Sequence, residues 1–232
     1  NWSVTRGTEI EGVGRVYEFR LEEGQWRETG VLDSRIEQGA NFGTSVAMRG
    51  DDAVIGSPGS GEGHGAAFLY RRAPSTGAWT EQSRLAAFNS IGGDRFGDAV
   101  ALDGNDIWVG APAPRGNDMG TVYVYRGHAE SELLDAPRRI RLTETVTRDA
   151  FGDKIFANGG VAAVVATGMH HRSGAVYVYE RDSAGDWQGG DMLVSAPDAL
   201  GALVGEERRC TDGKVGPFDC DDVELLAFVP NS

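Results

Sequence analysis

Apolar positions along this chain come in short runs separated by glycine and polar residues, and none keeps a 3.6-residue period. Runs of three or four occur at Ser45–Met48 and Ala99–Leu102, and again at Ala53–Ile55 and Ile107–Val109. Longer alternating segments follow a glycine: Gly65–Tyr70, Gly120–Tyr125 and Gly174–Tyr179. Runs of this length and period predict strands, not helices. Val161–Ala166, the longest apolar run, has the length of a buried strand. Further strands are predicted after Trp79 (Gln82 to Leu85) and at Arg138 to Leu142. The turns Arg49-Gly50-Asp51-Asp52, Asp103-Gly104-Asn105-Asp106 and Ala157-Asn158-Gly159-Gly160 supply the left-handed residues that tight hairpins need.

These segments repeat. Phe-Gly stands at Phe42-Gly43, Phe96-Gly97 and Phe151-Gly152, spaced 54 and then 55 residues. A Gly-x-Pro element follows at Gly56-Ser57-Pro58 and Gly110-Ala111-Pro112, with Ala166-Thr167-Gly168 read as its degenerate third copy. The aromatic strand comes next, ending at Tyr70, Tyr125 and Tyr179, and an earlier copy, Gly14 to Phe19, lacks a front half. Tryptophans recur after it at Trp26, Trp79 and Trp187, whereas the third copy carries Ala129-Glu130-Ser131-Glu132. Four short antiparallel strands per unit, in consecutive units, predict an all-β chain of β-propeller blades. The expected organisation is a partial blade over 1–38, repeats starting near 39, 93 and 148, and a cysteine-containing tail over 201–232.

Charge narrows the partners. The 35 acidic and 22 basic side chains leave a net charge of -13, which disfavours nucleic acid and anionic lipid. No apolar run approaches the ~20 residues of a membrane span. The two cysteines, Cys210 and Cys220, lie in a Gly/Asp-rich stretch, and a local disulfide there implies an oxidising, extracellular compartment. The abrupt start at Asn1-Trp2-Ser3 reads as a processed terminus, and those residues also spell a glycosylation sequon.

Together, the Phe-Gly pair, the Gly-x-Pro element, the aromatic strand and the tryptophan resemble the FG-GAP repeat of integrin α-like propellers, over residues 12 to about 200. That resemblance implies a β-propeller, typically of seven blades, on a secreted or surface-displayed protein that binds protein partners. Calcium-binding repeats of the family carry an Asp-x-Asp-x-Asp-Gly loop between the first two strands. Here those positions hold tight turns, which cannot supply six to eight oxygens, so no cofactor is expected. The tail, Cys210 to Cys220 with Asp222 to Pro230, resembles the opening of the choice-of-anchor B family and implies a longer polypeptide with a second propeller-like domain. Three full repeats and a partial one also fall short of seven blades, so a fragment, a small propeller or closure with another chain all remain open.

The loops Ser57–His64, Ala111–Met119 and Thr167–Ser173 should emerge on one rim, and they differ while their flanking strands do not. Glu62, His64, Arg115, Asn117, Asp118, His170, His171 and Arg172 are its candidate binding residues. Arg49-Gly50-Asp51 spells an adhesion tripeptide but sits where a hairpin wants Gly and Asp. Asp94/Asp98 and Asp149/Asp153 bracket two Phe-Gly pairs and read as structural, because they recur with the repeat. The repeated aromatics are expected between blades, with Phe42, Phe96 and Phe151 buried. No nucleophile elbow, P-loop, HExxH or dinucleotide fingerprint is present. The expectation is a non-catalytic extracellular module for protein binding, adhesion or self-assembly. A secreted enzyme or carbohydrate-binding domain with a rim or channel pocket is the alternative.

Overall fold

The computed structural model describes residues 13–33, 39–87, 92–112, 120–126, 137–140, 150–168, 174–192, 214–215 and 218–219. Three four-stranded antiparallel sheets follow one another along the chain. Blade A comprises β3 (Val46–Arg49), β4 (Asp52–Ser57), β5 (Ala66–Arg72) and β6 (Trp79–Leu85). Blade B comprises β7 (Ala99–Asp103), β8 (Asp106–Ala111), β9 (Thr121–Tyr125) and β10 (Arg138–Ile140). Blade C comprises β11 (Phe151–Asn158), β12 (Val161–Ala166), β13 (Ala175–Arg181) and β14 (Trp187–Met192). A two-stranded sheet, β1 (Arg15–Glu22) with β2 (Gln25–Asp33), precedes them. A short hairpin of β15 (Lys214–Val215) and β16 (Phe218–Asp219) lies in the tail. The chain is all-β, built of propeller blades.

Register shows why each turn has its sequence. Arg49 pairs with Asp52, and Asp103 with Asp106, each pair closing a two-residue hairpin in which Gly50 or Gly104 is left-handed. The β1–β2 sheet corresponds to the third and fourth strands of a blade. It carries a bulge between Glu18 and Phe19 where blade A has one between Leu69 and Tyr70, and blade C one between Val178 and Tyr179. Pairing also corrects the third Gly-x-Pro position. Gly56 pairs with Ala67, Gly110 with Val122 and Val165 with Val176. The structural counterpart of Gly56 and Gly110 is therefore Val165, one residue before the Ala166 read from sequence. One helical turn, α1 (Ser60–Gly63), is added within the first rim loop; Gly61 and Glu62 inside it are left-handed. No apolar period announces it.

The core lies between blades, as three clusters. Phe42, Ile55, Phe68 and Tyr70 of blade A meet Val16 and Leu32 of β1–β2. Phe96, Tyr123 and Tyr125 of blade B meet Val54, Ala67, Leu69 and Leu85 of blade A. Phe151, Tyr177, Tyr179 and Trp187 of blade C meet Trp108, Val122 and Val124 of blade B. Each Phe-Gly ring stands edge-on to its own blade's aromatic strand: Phe42 to Phe68, Phe96 to Tyr123 and Phe151 to Tyr177, at 5.3–5.7 Å between centroids. The backbone delivers it there by two left-handed residues flanking the ring: Asn41 and Gly43, Arg95 and Gly97, Ala150 and Gly152. An L residue such as Arg95 or Ala150 is uncommon there.

Candidate functional site

The rim loop described in full runs from Ser57 to Gly65. Ser57 is buried, and its hydroxyl donates to the Ala40 carbonyl at 2.8 Å and shares a hydrogen bond with Ser60 Oγ at 2.9 Å. The amide of Gly59 also donates to Ala40 O. On the other side, Gly93 and Arg95 donate to Gly63 O, and Phe96 to His64 O. Strand-like pairing of Gly65 with Phe96 completes the seam. The loop is thus fastened at one end to its own blade's Phe-Gly segment and at the other to the next blade's. Glu62 projects to solvent from its apex, and His64 is half-buried beside it.

A second cluster lies at the hairpin ends, where three blades meet. Asp103, 2% exposed, accepts from Arg49 Nη1 of blade A at 2.8 Å. It also accepts from the amides of Gly159 and Gly160 at 2.9 and 2.8 Å, and from Arg181 Nη2 at 3.1 Å, all of blade C. Next to it Asp106 accepts from the indole of Trp187 at 2.7 Å and pairs with Arg181. Burial by itself would raise the Asp103 carboxyl; the Gly160 amide, Arg49, Arg181 and the Gly159 amide outweigh it and hold the group below its ordinary value. The guanidinium of Arg181 lies 4.7 Å from the centre of the Trp187 ring.

The first strands of the three blades, β3, β7 and β11, lie side by side, as strands nearest a propeller axis do. With β12 they line an open groove of about 550 Å³. Met48, Leu102, Phe156 and Val161 are among its side chains, and Asn158 is its one polar residue. Met48 and Phe156 are 67% and 64% exposed.

Residues 28–70 and 79–125 each match the family model of the FG-GAP repeat. Over those segments the chain is similar to the FG-GAP repeat. No curated protein matches the chain. The FG-GAP unit is offset from the blade: the first match begins within β2 and ends in β5, and the second begins with β6 and ends with β9. Each FG-GAP repeat therefore carries the last strand of one blade and the first three of the next, so the sequence repeat staples neighbouring blades together. Blade C lies outside the matched residues yet has the same strand order.

The positions singled out from sequence fall in several places. Phe42, Phe96 and Phe151 are buried at the blade junctions, with Tyr125 and Tyr179 in the same clusters. Gly43, Gly97 and Gly152 take the left-handed backbone beside those rings, and Gly110 and Pro112 are buried at the end of β8. The adhesion tripeptide is dispersed into ion pairs, Arg49 with Asp103 and Asp51 with Arg72. Asp98 pairs with Arg95, and Asp153 with Lys154. Trp79 and Trp187 pack against the cores, but Trp26 does not: it is 70% exposed, because no described residue covers that face of β2. Val161–Ala166 is likewise buried on alternate residues only, since no described blade lies on its second face. Arg115, Asn117, Asp118, His170, His171, Arg172, Asp149, Cys210, Cys220 and the sequon at Asn1 lie outside the described residues. The Asp103 cluster was not foreseen. Its partners sit 54 and 78 residues away, and the sequence signal, an Asp at a hairpin corner, looks like ordinary turn chemistry.

Proposed function

We propose that this chain is a non-catalytic, extracellular module that binds protein partners, with the rim as its variable contact surface. The observation that carries this reading is the division of labour in the FG-GAP blades. Side chains able to do chemistry, such as Asp103, Asp106, Arg49 and Arg181, are spent on holding blades together, while the loops between the second and third strands vary on a fixed frame. FG-GAP repeats are typical of extracellular, partner-binding proteins, and among the described residues no helix is long and apolar enough to cross a membrane. The groove fits the same reading as an apolar contact surface, its described lining being apolar except for Asn158. Under this reading Cys210 and Cys220 form a local disulfide, no metal or other cofactor takes part, and residues 201–232 lead from the blades to a further domain of the choice-of-anchor B type.

The test is capture of extracellular proteins on the immobilised chain, followed by interferometry with each purified candidate. Glu62→Lys and Arg115→Glu together should weaken a true partner at least about tenfold, as loss of central contacts does. Arg84→Ala, on the outer strand of blade A, should leave binding unchanged. Absence of any reproducible partner, or affinity indifferent to the rim changes, would remove the reading.

A further inference from the structure

All three described junctions obey one rule. The later unit presents an aromatic-x-aromatic face, and the strands of the earlier unit present aliphatic residues to it. Phe68 and Tyr70 face Val16 and Leu32; Tyr123 and Tyr125 face Ala67 and Leu69; Tyr177 and Tyr179 face Val122 and Val124, joined there by Trp108. Among the described residues the rule leaves two faces uncovered. At the leading end, Tyr17 and Phe19 are the counterparts of Phe68 and Tyr70. Phe19 is 51% exposed, with Leu21 and Trp26 exposed beside it. At the trailing end, blade C turns Phe156, Val161, Ala163 and Val165 outward from β11 and β12.

The trailing face departs from its counterparts in one informative way. In blades A and B, Gly56 and Gly110 admit the next blade's Phe-Gly backbone: a Cβ on either would land on the carbonyl of Gly97 or Gly152. Blade C has Val165 at this position, and Phe156 where β3 and β7 have Ala47 and Ala101. A further Phe-Gly blade therefore cannot seat on blade C as B seats on A. A unit without a Phe-Gly segment can, and the chain contains no Phe-Gly before residue 42 or after residue 152. The β1–β2 sheet is such a unit: it shows the aromatic face and has no Phe-Gly ring upon it.

We propose that the trailing face of blade C receives the β1–β2 face of a second copy of this chain, head to tail. This rests on the interaction reading above and names one partner for it. The contact continues the intramolecular rule across a chain boundary, aromatic onto aliphatic, with the bulk of Phe156 and Val165 filling the space a Phe-Gly segment occupies elsewhere. The two surfaces differ, so the contact is heterologous and propagates until it closes.

Light scattering and sedimentation of the 232-residue chain test this directly. The expected result is a dimer of twice 24.7 kDa or a concentration-dependent series. Trp26→Glu or Phe156→Glu, both at exposed side chains, should each weaken association about tenfold or more. Mixing the two variants should restore a dimer, because one junction then has both native faces. A monomer at every attainable concentration overturns the proposal, as does an oligomer that ignores both substitutions or is not rescued by mixing. A monomer that still captures another protein through its rim would leave the function proposed above standing.

Discussion

Strand β7 and its neighbours β3 and β11 hold the same place in three consecutive blades, yet they live in different surroundings. Every residue of β7 is buried, with Ala99 and Ala101 turned to blade C and Val100 and Leu102 to blade A. In β3 only Ala47 packs inward, while Val46 and Met48 are exposed; in β11 Ile155 is buried and Phe156 is not. Hydrophobicity does not separate these strands, since Met48 and Phe156 are as apolar as anything in β7. What separates them is whether a blade stands on each side. In a stack of sheets the solvent exposure of a side chain is a property of its neighbour, and mutational sensitivity should follow position in the stack and not residue type.

The sharpest break of that comparison is at the middle blade's charged corner. Asp103→Asn should cost about 3–5 kcal/mol in urea unfolding, because the buried carboxylate loses the charge on which Arg49, Arg181 and the Gly159 and Gly160 amides converge. Trp108→Ala, fully buried against Trp187 and Tyr179, should cost a similar or slightly smaller amount, about 3–4 kcal/mol. Gly110→Ala should cost about 1–3 kcal/mol by pushing its methyl onto Gly152 O, whereas an alanine at Val165 should be tolerated far better, because no described blade packs on that face. The same Asp103 sharpens the comparison by pH. Its folded value is depressed, so its contribution is complete above the ordinary aspartate range, about pH 4, and is lost as pH falls through the lower folded value. The gap in urea midpoint between the native protein and Asp103→Asn should accordingly hold from pH 7 to pH 5 and shrink below pH 4. The smallest effect belongs to the leading end: Trp26→Ala in a dilute monomer should change stability by no more than about 0.5 kcal/mol, despite removing the chain's largest side-chain type. A large loss there would mean that its face is covered.

Much of this was legible in residues alone. The 54- and 55-residue spacing, the two-residue hairpins and the aromatic alternation determined strand positions and blade architecture, because period-2 patterning and left-handed turn residues act locally. Burial of Phe42, Phe96 and Phe151 followed from the same repeat. The tertiary structure alone decided three other matters. Cross-strand pairing placed Val165, not Ala166, opposite the position of Gly56 and Gly110, since register is a relation between strands. Folding gathered Asp103, Arg49, Arg181, Gly159 and Gly160 from three blades into one ionic cluster, a convergence that no spacing along the chain announces. It also determined that Trp187 is enclosed while Trp26 meets solvent, although both stand at the same point of the repeat. Local sequence specifies the blade because its hydrogen bonds and turns are made within some fifty residues; the faces of a blade take their environment from whatever packs on them.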